Sequence, residues 1–359
     1  MDSNVKPRVL VTGATGKIGR HVVKELLARG YRVRALTSKP IATIPTSDSL
    51  EWRQLNFHES LDFDPIARDC AAVLHLGAEL RDIDRMQRSN VDATRALAEA
   101  SERSSVKVFC YTSTVSVYGS TRCRRVSESS PVLTPDRDVR RQYWGSAVLR
   151  SYGRTKLQGE LVIKAAARNV EYVILRPSVV VDLEDLLGLG DRSKVWKRVG
   201  GARNAHHIYA PDVADAILWF MERGLNRDQP APAVSTFNLS EDEAPVGTYG
   251  QLFKVAYEAS GDERWNAEPM PWPVEWLRMM VSNRTLLFRQ PYGRMFFVAD
   301  KLRQEGYEFR FGMSHAIEIF CKQLVTPMPA GDLSGGLAPG DTAARRNRDR
   351  VLAALVEVA

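Results

Sequence analysis

Tyr152 and Lys156 stand four positions apart in the stretch SYGRTK, residues 151–156. Residues at positions i and i+4 of a helix share a face, so both side chains could reach one small volume. A tyrosine phenol has an ordinary pKa of about 10, and a nearby ammonium group, together with a positively charged oxidised cofactor, would favour the phenolate and lower that pKa. The pair could therefore be a proton donor and the charge that tunes it, although a surface pair would have the same spacing.

A glycine-rich turn near the start of the chain indicates a second chemical function. The stretch TGATGKIG places Gly13, Gly16 and Gly19 after a short β-branched run at residues 9–12 and before a helical pattern. Glycines in such a strand-turn-helix unit allow a tight turn and close approach to a pyrophosphate, which the helix N-terminus then faces. The turn predicts a dinucleotide-binding site.

The end of the second predicted strand bears on the choice between NADP and NAD. A carboxylate at this position would bind the ribose 2′-hydroxyl of NAD and would repel the 2′-phosphate of NADP. The chain has Thr37, Ser38 and Lys39 there instead. These residues favour NADP as the cofactor, with NAD as the alternative, although Lys39 could also be an ordinary surface lysine.

Alternating strands and helices must position these motifs. Strand-like runs recur at residues 71–76, 106–113 and 171–177, and helical patterns separate them. This alternation predicts an α/β fold, a Rossmann-type doubly wound parallel sheet with helices on both faces. The rhythm breaks after residue 177, and a helix over about residues 212–223 then returns to the first lobe, so the smaller C-terminal substrate lobe is discontinuous.

The predicted domain organisation has two lobes and a tail. We assign residues 1–177 and about 206–240 to an NADP-binding Rossmann domain, and about 178–205 and 241–325 to the substrate lobe. A Gly- and Pro-rich stretch at residues 326–341 predicts a flexible linker, and residues 342–359 predict a terminal helix with an apolar stripe.

Composition argues against several classes of protein. Among 359 residues, 44% of them hydrophobic, no apolar run is long enough to cross a bilayer, so we expect a cytoplasmic protein without a membrane partner. Four scattered cysteines predict neither disulfides nor a zinc site. No nucleic-acid-binding motif accompanies the net charge of +7, so we expect no nucleic-acid partner. The adjacent His206 and His207 would point to opposite faces of a strand, so we expect no metal site.

Seven stretches in order resemble the extended short-chain dehydrogenases/reductases over roughly residues 9–324. They are TGATGKIG, HLGA at 75–78, NVDAT from Asn90, TSTVSVYG at 112–119, YGRTK at 152–156, LRPS at 175–178 and IYAPDVADA at 208–216. The resemblance implies an NADP-dependent oxidoreductase in which Tyr152 is the general acid/base. It also implies that Lys156 binds the nicotinamide ribose and tunes Tyr152. Thr114, with Ser113 as the neighbouring alternative, would hydrogen-bond the reacting oxygen.

The same resemblance implies a set of cofactor-binding residues, in which Asn56 stands where the family usually has an acidic residue at the adenine. The set is Gly13, Thr15, Gly16, Lys17, Ile18, Gly19, Thr37, Ser38, Lys39, Asn56, Phe57, Leu76, Gly77, Ala78, Asn90, Thr112, Tyr152, Lys156, Pro177, Ser178 and Val179.

The stretch after the LR pair bears on the substrate. Sugar-nucleotide members of the family usually read RYxNVYGP there and use the asparagine to position the substrate, whereas residues 176–182 read RPSVVVD. LRPSVVV instead looks like the 3β-hydroxysteroid dehydrogenase and dihydroflavonol reductase branch, whose substrates are apolar ring systems. Side chains that would suit such a ligand, or equally a lobe core, are Trp272, Trp276, Leu286, Phe288, Phe296 and Phe297.

The sequence therefore predicts an enzyme, a ketone or aldehyde reductase or alcohol dehydrogenase, that acts on an apolar and cyclic small molecule. A sugar-nucleotide epimerase or dehydratase with retained NAD is the first alternative, and a non-catalytic NADP-sensing regulator is the second. Similar proteins often dimerise through helices that correspond here to residues 92–102 and 152–167, so a homodimer is one option for assembly.

Overall fold

The central sheet contains seven parallel strands, and two short strand pairs lie outside it. The structure is a computed structural model that describes residues 6–38, 41, 47–134, 137–143, 146–227, 234–270 and 292–325. Its strands are β1 (Arg8–Thr12), β2 (Arg32–Thr37), β3 (Leu50–Gln54), β4 (Cys70–His75), β5 (Val108–Thr112), β6 (Arg125–Val126), β7 (Glu171–Pro177), β8 (Val179–Val181), β9 (His207–Tyr209), β10 (Val234–Leu239) and β11 (Phe296–Phe297).

The strand order in the sheet is β10-β7-β5-β4-β1-β2-β3, and β8 pairs with β9 while β6 pairs with β11. The helices are α1 (Lys17–Ala28), α2 (Asp64–Ala67), α3 (Ile83–Gln87), α4 (Ala93–Glu102), α5 (Ala147–Ala166), α6 (Leu183–Gly188), α7 (Lys194–Gly200), α8 (Ala210–Leu225) and α9 (Tyr249–Ser260), followed by Asp300–Gln304 and Gly312–Val325. A π-helical turn at Arg88–Asp92 joins α3 to α4, and 3₁₀ turns lie at Val115–Tyr118, Val139–Arg141, Leu189–Asp191 and Tyr292–Arg294.

Both faces of the sheet are buried, as a parallel sheet requires. On β1, Val9 and Val11 belong to an apolar cluster that includes residues of α1 and α8. Leu10 belongs to a second cluster, on the other face, with residues of α4 and α5. Successive side chains of a strand point to opposite faces, so the continuous apolar run fills both. The predicted doubly wound α/β fold is confirmed.

The segments after β7 build a third apolar cluster apart from the sheet. It contains Leu186 of α6, Phe253 of α9, Trp265 and Phe320, all of them almost fully buried. Between these segments α8 packs against α1, so the chain returns to the sheet before it continues into the second group of helices.

Several predicted features lie outside the described residues. They are the linker at 326–341, the helix at 342–359 and four of the six side chains suggested for an apolar ligand, namely Trp272, Trp276, Leu286 and Phe288. The other two, Phe296 and Phe297, form β11. Phe297 is buried in the cluster that contains Tyr118, so it serves as core.

Gly159 allows α5 to pack closely on the sheet and on the π-helical turn. A Cβ atom at this position would clash with the Tyr111 hydroxyl and would lie 2.8 Å from the Asn90 carbonyl oxygen. We expect Gly159→Ala to destabilise the protein by about 1–3 kcal/mol, because overpacking outweighs the better helix propensity of alanine. The measurement is the midpoint of urea unfolding.

Gly188 supplies the matched control. It has helical φ and ψ of −63° and −18°. An added Cβ would meet nothing within 4 Å. Gly188→Ala should leave the midpoint unchanged or raise stability by up to about 1 kcal/mol. Equal effects of the two substitutions would contradict the close packing assigned to Gly159.

Candidate active site

One large cavity of about 780 Å³ opens at the carboxyl ends of the sheet strands. This is the edge where open parallel sheets bind ligands. Nineteen of the predicted site residues line it, and the others are treated below: Gly13, Thr15, Gly16, Lys17, Ile18, Gly19, Thr37, Ser38, Asn56, Phe57, Leu76, Gly77, Ala78, Thr112, Thr114, Tyr152, Pro177, Ser178 and Val179.

The glycine turn joins β1 to α1 by a tight backbone path. Gly13 has a φ of +66°, and a Cβ there would lie 2.8 Å from the Gly77 backbone nitrogen. A Cβ at Gly19 would lie 2.8 Å from Ala14 Cα, so this glycine lets the helix sit directly on the turn. Gly16 is the N-cap of α1 and has no side-chain oxygen that could cap the helix. The free amides of the first helical turn therefore face the cavity as an anion site.

A buried polar chain holds the ends of β1 and β4 together behind this turn. Thr12 Oγ1 accepts the Gly77 amide at 3.0 Å and lies 2.7 Å from His75 Nδ1. His75 Nε2 lies 2.9 Å from Thr94 Oγ1, and Thr94 donates to the Asn90 carbonyl. These partners suit a neutral imidazole that accepts at Nδ1 and donates at Nε2. Burial, and then the charge of Lys156, lower the pKa of His75 to about 3. His75 is thus a structural histidine.

α5 carries both residues of the tyrosine-lysine pair. Tyr152 lines the cavity. Lys156 lies behind it, 1% exposed, with Nζ 4.0 Å from the centre of the Tyr111 ring. Burial lowers the pKa of Lys156 to about 7. Burial, with a smaller effect of Tyr143, raises the pKa of Tyr152. Desolvation penalises the phenolate, so these side chains alone favour the neutral phenol, and the lowered pKa predicted above also requires the positive charge of an oxidised nicotinamide.

The hydroxyl candidates Thr114 and Ser113 both line the cavity, but their hydroxyl groups have different hydrogen-bond partners. Ser113 Oγ donates to Glu160 Oε1 at 2.6 Å in the protein interior. Thr114 Oγ1 accepts the Ser116 amide at 3.2 Å, so its proton is available to the cavity that it lines. Gly153 makes this arrangement possible, because a Cβ there would lie 2.6 Å from the Ser116 carbonyl oxygen. The geometry favours Thr114 over Ser113, and the contribution of Gly153 was not predicted from the sequence.

A buried charge network lies directly behind these residues. Arg176 donates from Nε to Glu160 Oε1 at 2.9 Å and from Nη2 to Oε2 at 2.6 Å. The two side chains are 4% and 0% exposed. Arg176 Nη1 also donates to the Tyr118 hydroxyl at 2.8 Å. This network connects α5 to the ends of β5 and β7, which are three walls of the cavity.

Two buried hydroxyl groups in the cavity wall have no hydrogen-bond partner among the described residues. They are Thr112 Oγ1 and Ser178 Oγ. Buried polar atoms are normally satisfied, so an unpartnered pair in a cavity wall suits a bound group with polar atoms. Together with the glycine turn, which suits a pyrophosphate, they fit a nicotinamide dinucleotide.

The remaining predicted residues do not contact the cavity or are only partly available to it. Asn90 is buried and holds the loop after β4, where its amide donates to the Glu79 carbonyl and accepts the Glu79 N–H. Asn56 lines the cavity, but its amide donates to Glu59 at 2.7 Å. Lys39 lies outside the described residues.

Sequence reasoning missed several charged residues that line the cavity: Arg20, Glu79, Arg81, Arg85, Asp182 and Asp185. Arg20 lies one turn after Lys17 on α1, which is visible in the sequence. The Asp-x-x-Asp spacing of Asp182 and Asp185 is typical of a helix start. In the structure the two residues form a capping box at α6. Nothing in the sequence indicated that the basic and acidic pairs meet.

Within the described ranges, no helix combines the length and the apolar character that a membrane span requires. His206, one of the two adjacent histidines, is buried with Nδ1 2.7 Å from Asp242 Oδ2, and His207 packs on the ring of Tyr249. In the same part of the chain, no group of three or more His, Cys, Asp or Glu residues could hold a metal ion.

Comparison with known proteins gives a family match. Residues 9–182 match the model of the NAD dependent epimerase/dehydratase family. A sterol-4-alpha-carboxylate 3-dehydrogenase (decarboxylating) of Dictyostelium discoideum is 25% identical over 271 residues, which are 70% of this chain and 76% of that protein. A UDP-glucose 4-epimerase of Bacillus subtilis is 28% identical over 172 residues, 44% of this chain and 47% of that protein.

Solved structures give a match over most of the chain. MoeE5, in complex with UDP-glucuronic acid and NAD, aligns with a TM-score of 0.65 at 21% identity and covers 88% of this chain and 98% of its own. At this identity the match shows the fold alone.

The Glu160–Arg176 pair generates a prediction for stability. Glu160→Gln should destabilise the protein by about 3–5 kcal/mol, because it leaves the Arg176 charge buried without its partner. Urea unfolding measures the loss. Glu258→Gln is the control, since its pair with Lys254 is exposed (61% and 75%) and 3.8 Å long. That change should stay within about 0.5 kcal/mol. Losses of equal size would mean that the buried pair does not hold the site together.

Proposed function

Residues 9–182 form an NAD-dependent epimerase/dehydratase domain of the extended short-chain dehydrogenase/reductase type, and we propose that the protein is an NADP-dependent oxidoreductase. The reaction is hydride transfer between nicotinamide and the carbonyl or hydroxyl carbon of an apolar, cyclic small molecule. The observation that carries the proposal is the placement of Tyr152 and Thr114 on one cavity wall with Lys156 buried behind them.

The protein's own residues supply the proton and the hydrogen bonds. The Tyr152 hydroxyl gives its proton to the carbonyl oxygen in reduction and takes one from the alcohol in oxidation. Thr114 donates a hydrogen bond to the same oxygen and stabilises its developing charge. A bound nicotinamide supplies or accepts the hydride. The Lys156 ammonium lies on the same helix face and stabilises the negative charge that Tyr152 carries when it has lost its proton.

The chain residues that would hold the dinucleotide fall into three groups. Amides of the glycine turn, from Gly13 to Ile18, would bind the phosphates. Thr37 and Ser38 at the end of β2, with Lys39 next in sequence, would lie at the adenosine ribose. Thr112 and Ser178, whose hydroxyls have no partner among the described residues, would bind the polar part of the nicotinamide.

The proposed division of labour follows the predicted lobes. Residues 1–177 and about 206–240 hold the dinucleotide, and about 178–205 and 241–325 cover the substrate. In support, α8 packs against α1. The helices on either side of it in the sequence share the apolar cluster around Trp265.

The second candidate function is a sugar-nucleotide epimerase or dehydratase that retains NAD. It is favoured by the match to a UDP-glucose 4-epimerase. Against it, Pro177 stands where sugar-nucleotide members usually have an aromatic residue, and Val179 stands where they have the substrate-positioning asparagine. Val179 and Val180, which follow in the cavity wall, give the wall an apolar character.

Turnover tests the proposed function directly. We expect NADPH to be oxidised in the presence of members of a panel of cyclic ketones. Tyr152→Phe should lower kcat by a factor of about 10²–10⁴ and leave NADPH affinity unchanged, because only the transferable proton is lost. Tyr257→Phe, on the surface helix α9, is the control and should retain full turnover. Turnover by Tyr152→Phe equal to wild type would refute the role of Tyr152, and inactivity of the wild type toward every carbonyl would favour the regulator.

Cofactor identity is tested by titration with NADPH and NADH after any bound nucleotide has been removed. The 2′-phosphate should make NADPH the tighter ligand, and Lys39→Asp should weaken NADPH binding by about tenfold through charge repulsion while NADH binding is kept. Lys24→Asp, at an exposed position of α1, is the control. Mass spectrometry of the nucleotides released on denaturation completes the test, because non-exchanging NAD would favour the epimerase or dehydratase.

A further inference from the structure

Two ion pairs cross the cavity at its phosphate end. Lys17 Nζ pairs with Asp185 Oδ2, and Arg20 Nη2 pairs with Asp182 Oδ2. Lys17 also donates to the Val180 carbonyl oxygen at 3.0 Å. Both cations lie on the first turns of α1, beside the glycine turn. Both carboxylates lie at the start of α6. This helix packs through Leu186 in the third apolar cluster, which also contains Trp265. We call these two pairs the ionic clamp.

The acidic side of the clamp is held in place before any ligand arrives. Asp182 Oδ1 accepts the Asp185 amide at 3.1 Å, and Asp185 Oδ2 accepts the Asp182 amide at 2.8 Å. The two carboxylate side chains are 7% and 2% exposed, against 39% for Arg20 and 29% for Lys17. The clamp thus joins fixed, buried anions to cations that are partly open to solvent.

The position of the carboxylates is unusual for a site that suits a pyrophosphate. Two aspartates in the cavity wall would repel phosphate groups if their charges were not compensated. Paired with Lys17 and Arg20, they instead link the two walls between which a dinucleotide would lie. All four residues line the same cavity.

We propose that Lys17, Arg20, Asp182 and Asp185 are positioning residues that hold the cavity closed over a bound dinucleotide and set its dissociation rate. The inference rests on the proposed function, since it requires a dinucleotide in the cavity. The clamp opens when its ion pairs break, and the glycine turn then separates from α6 so that the nucleotide leaves. The fraction of time for which the ion pairs are formed decides whether the cofactor exchanges in each turnover or stays bound.

A double-mutant cycle on the first pair tests the clamp. The variants are Lys17→Met, Asp185→Asn and their combination. The measured quantity is the dissociation rate of NADPH, followed by its fluorescence when excess NADP⁺ displaces it in a stopped-flow experiment. Each single substitution should raise the rate by about tenfold, because either one breaks the pair between a buried carboxylate and its cation. The combination should raise it by the same factor, since the pair can be lost only once.

The alternative is that the four charges act on the phosphates one by one. Asp185→Asn would then slow dissociation by removing a repulsive charge, Lys17→Met would accelerate it, and the two effects would add. Either slower dissociation from Asp185→Asn or additive effects would overturn the clamp. Asp64→Asn, which removes an exposed pair with Arg103, is the control and should leave the rate unchanged.

The cycle Arg20→Met and Asp182→Asn repeats the test on the second pair, so a variant that does not fold leaves the other cycle to decide. The asparagines keep an oxygen that can accept the capping-box amides, so α6 should remain intact. The measured quantity is nucleotide dissociation and not turnover. The experiments can therefore refute the clamp and the proposed function independently of each other. Coupled rates in a protein that reduces no carbonyl would retain the clamp and refute the reductase. Uncoupled rates in an active reductase would refute the clamp.

Discussion

Glu160 and Arg176 place two opposite charges in the middle of the molecule, where each is stable only because the other is beside it. Glu160 belongs to α5, the helix that carries Tyr152 and Lys156. Arg176 belongs to the last part of β7, one residue before the strand enters the cavity wall at Pro177. The two-point contact between them therefore fixes the position of α5, and with it Tyr152, relative to the sheet edge. Because Glu160 also accepts from Ser113, the same pair sets the end of β5 and presents Thr114 to the cavity.

The network continues from this pair toward the opposite wall. The Tyr118 hydroxyl accepts from Arg176 and donates to Asn238 Oδ1 at 2.7 Å. The Asn238 side-chain amide donates to the carbonyls of Val126, which belongs to β6, and of Val298, which follows β11. A buried polar network in which every member is satisfied favours one arrangement over alternatives that would strand a charge. The alignment of α5, the sheet edge and the β6–β11 pair is thus specified by hydrogen-bond geometry as well as by apolar packing.

The fold could be predicted from the sequence because its signals are local. Val9 to Thr12, the glycine turn and the helix after it each have a pattern within a few residues, and the alternation of such units implies a parallel sheet. The side-by-side placement of Tyr152 and Lys156 on one helix was also local. Their environment was not: the Tyr111 ring beneath Lys156 comes from β5. Burial, together with a smaller effect of Tyr143, raises the pKa of Tyr152, and this environment has no local signal in the sequence.

The choice between Thr114 and Ser113 shows the same limit, because it depends on Glu160, which is 47 residues from Ser113 in the sequence. The clamp residues show it most clearly. Asp182 and Asp185 could be seen as a helix cap, yet their pairing with Arg20 and Lys17 joins segments separated by more than 160 residues. A long-range ion pair produces no periodic pattern in the sequence. An arginine or aspartate that forms such a pair is the same residue type as one on the protein surface. Sequence patterns therefore predict the strands and helices that carry the site. They do not predict the long-range hydrogen bonds and ion pairs that its side chains form.

The two pKa directions at the site have a common consequence for its chemistry. Burial favours the neutral phenol of Tyr152 and also favours the neutral amine of Lys156, whose pKa falls to about 7. Burial of these two side chains thus disfavours both the phenolate of Tyr152 and the ammonium of Lys156. A phenol in this state suits a proton donor to a carbonyl, which is the reductive direction. Removal of that proton in the oxidative direction requires additional positive charge close to the phenol, because desolvation has to be overcome before the phenolate is stable.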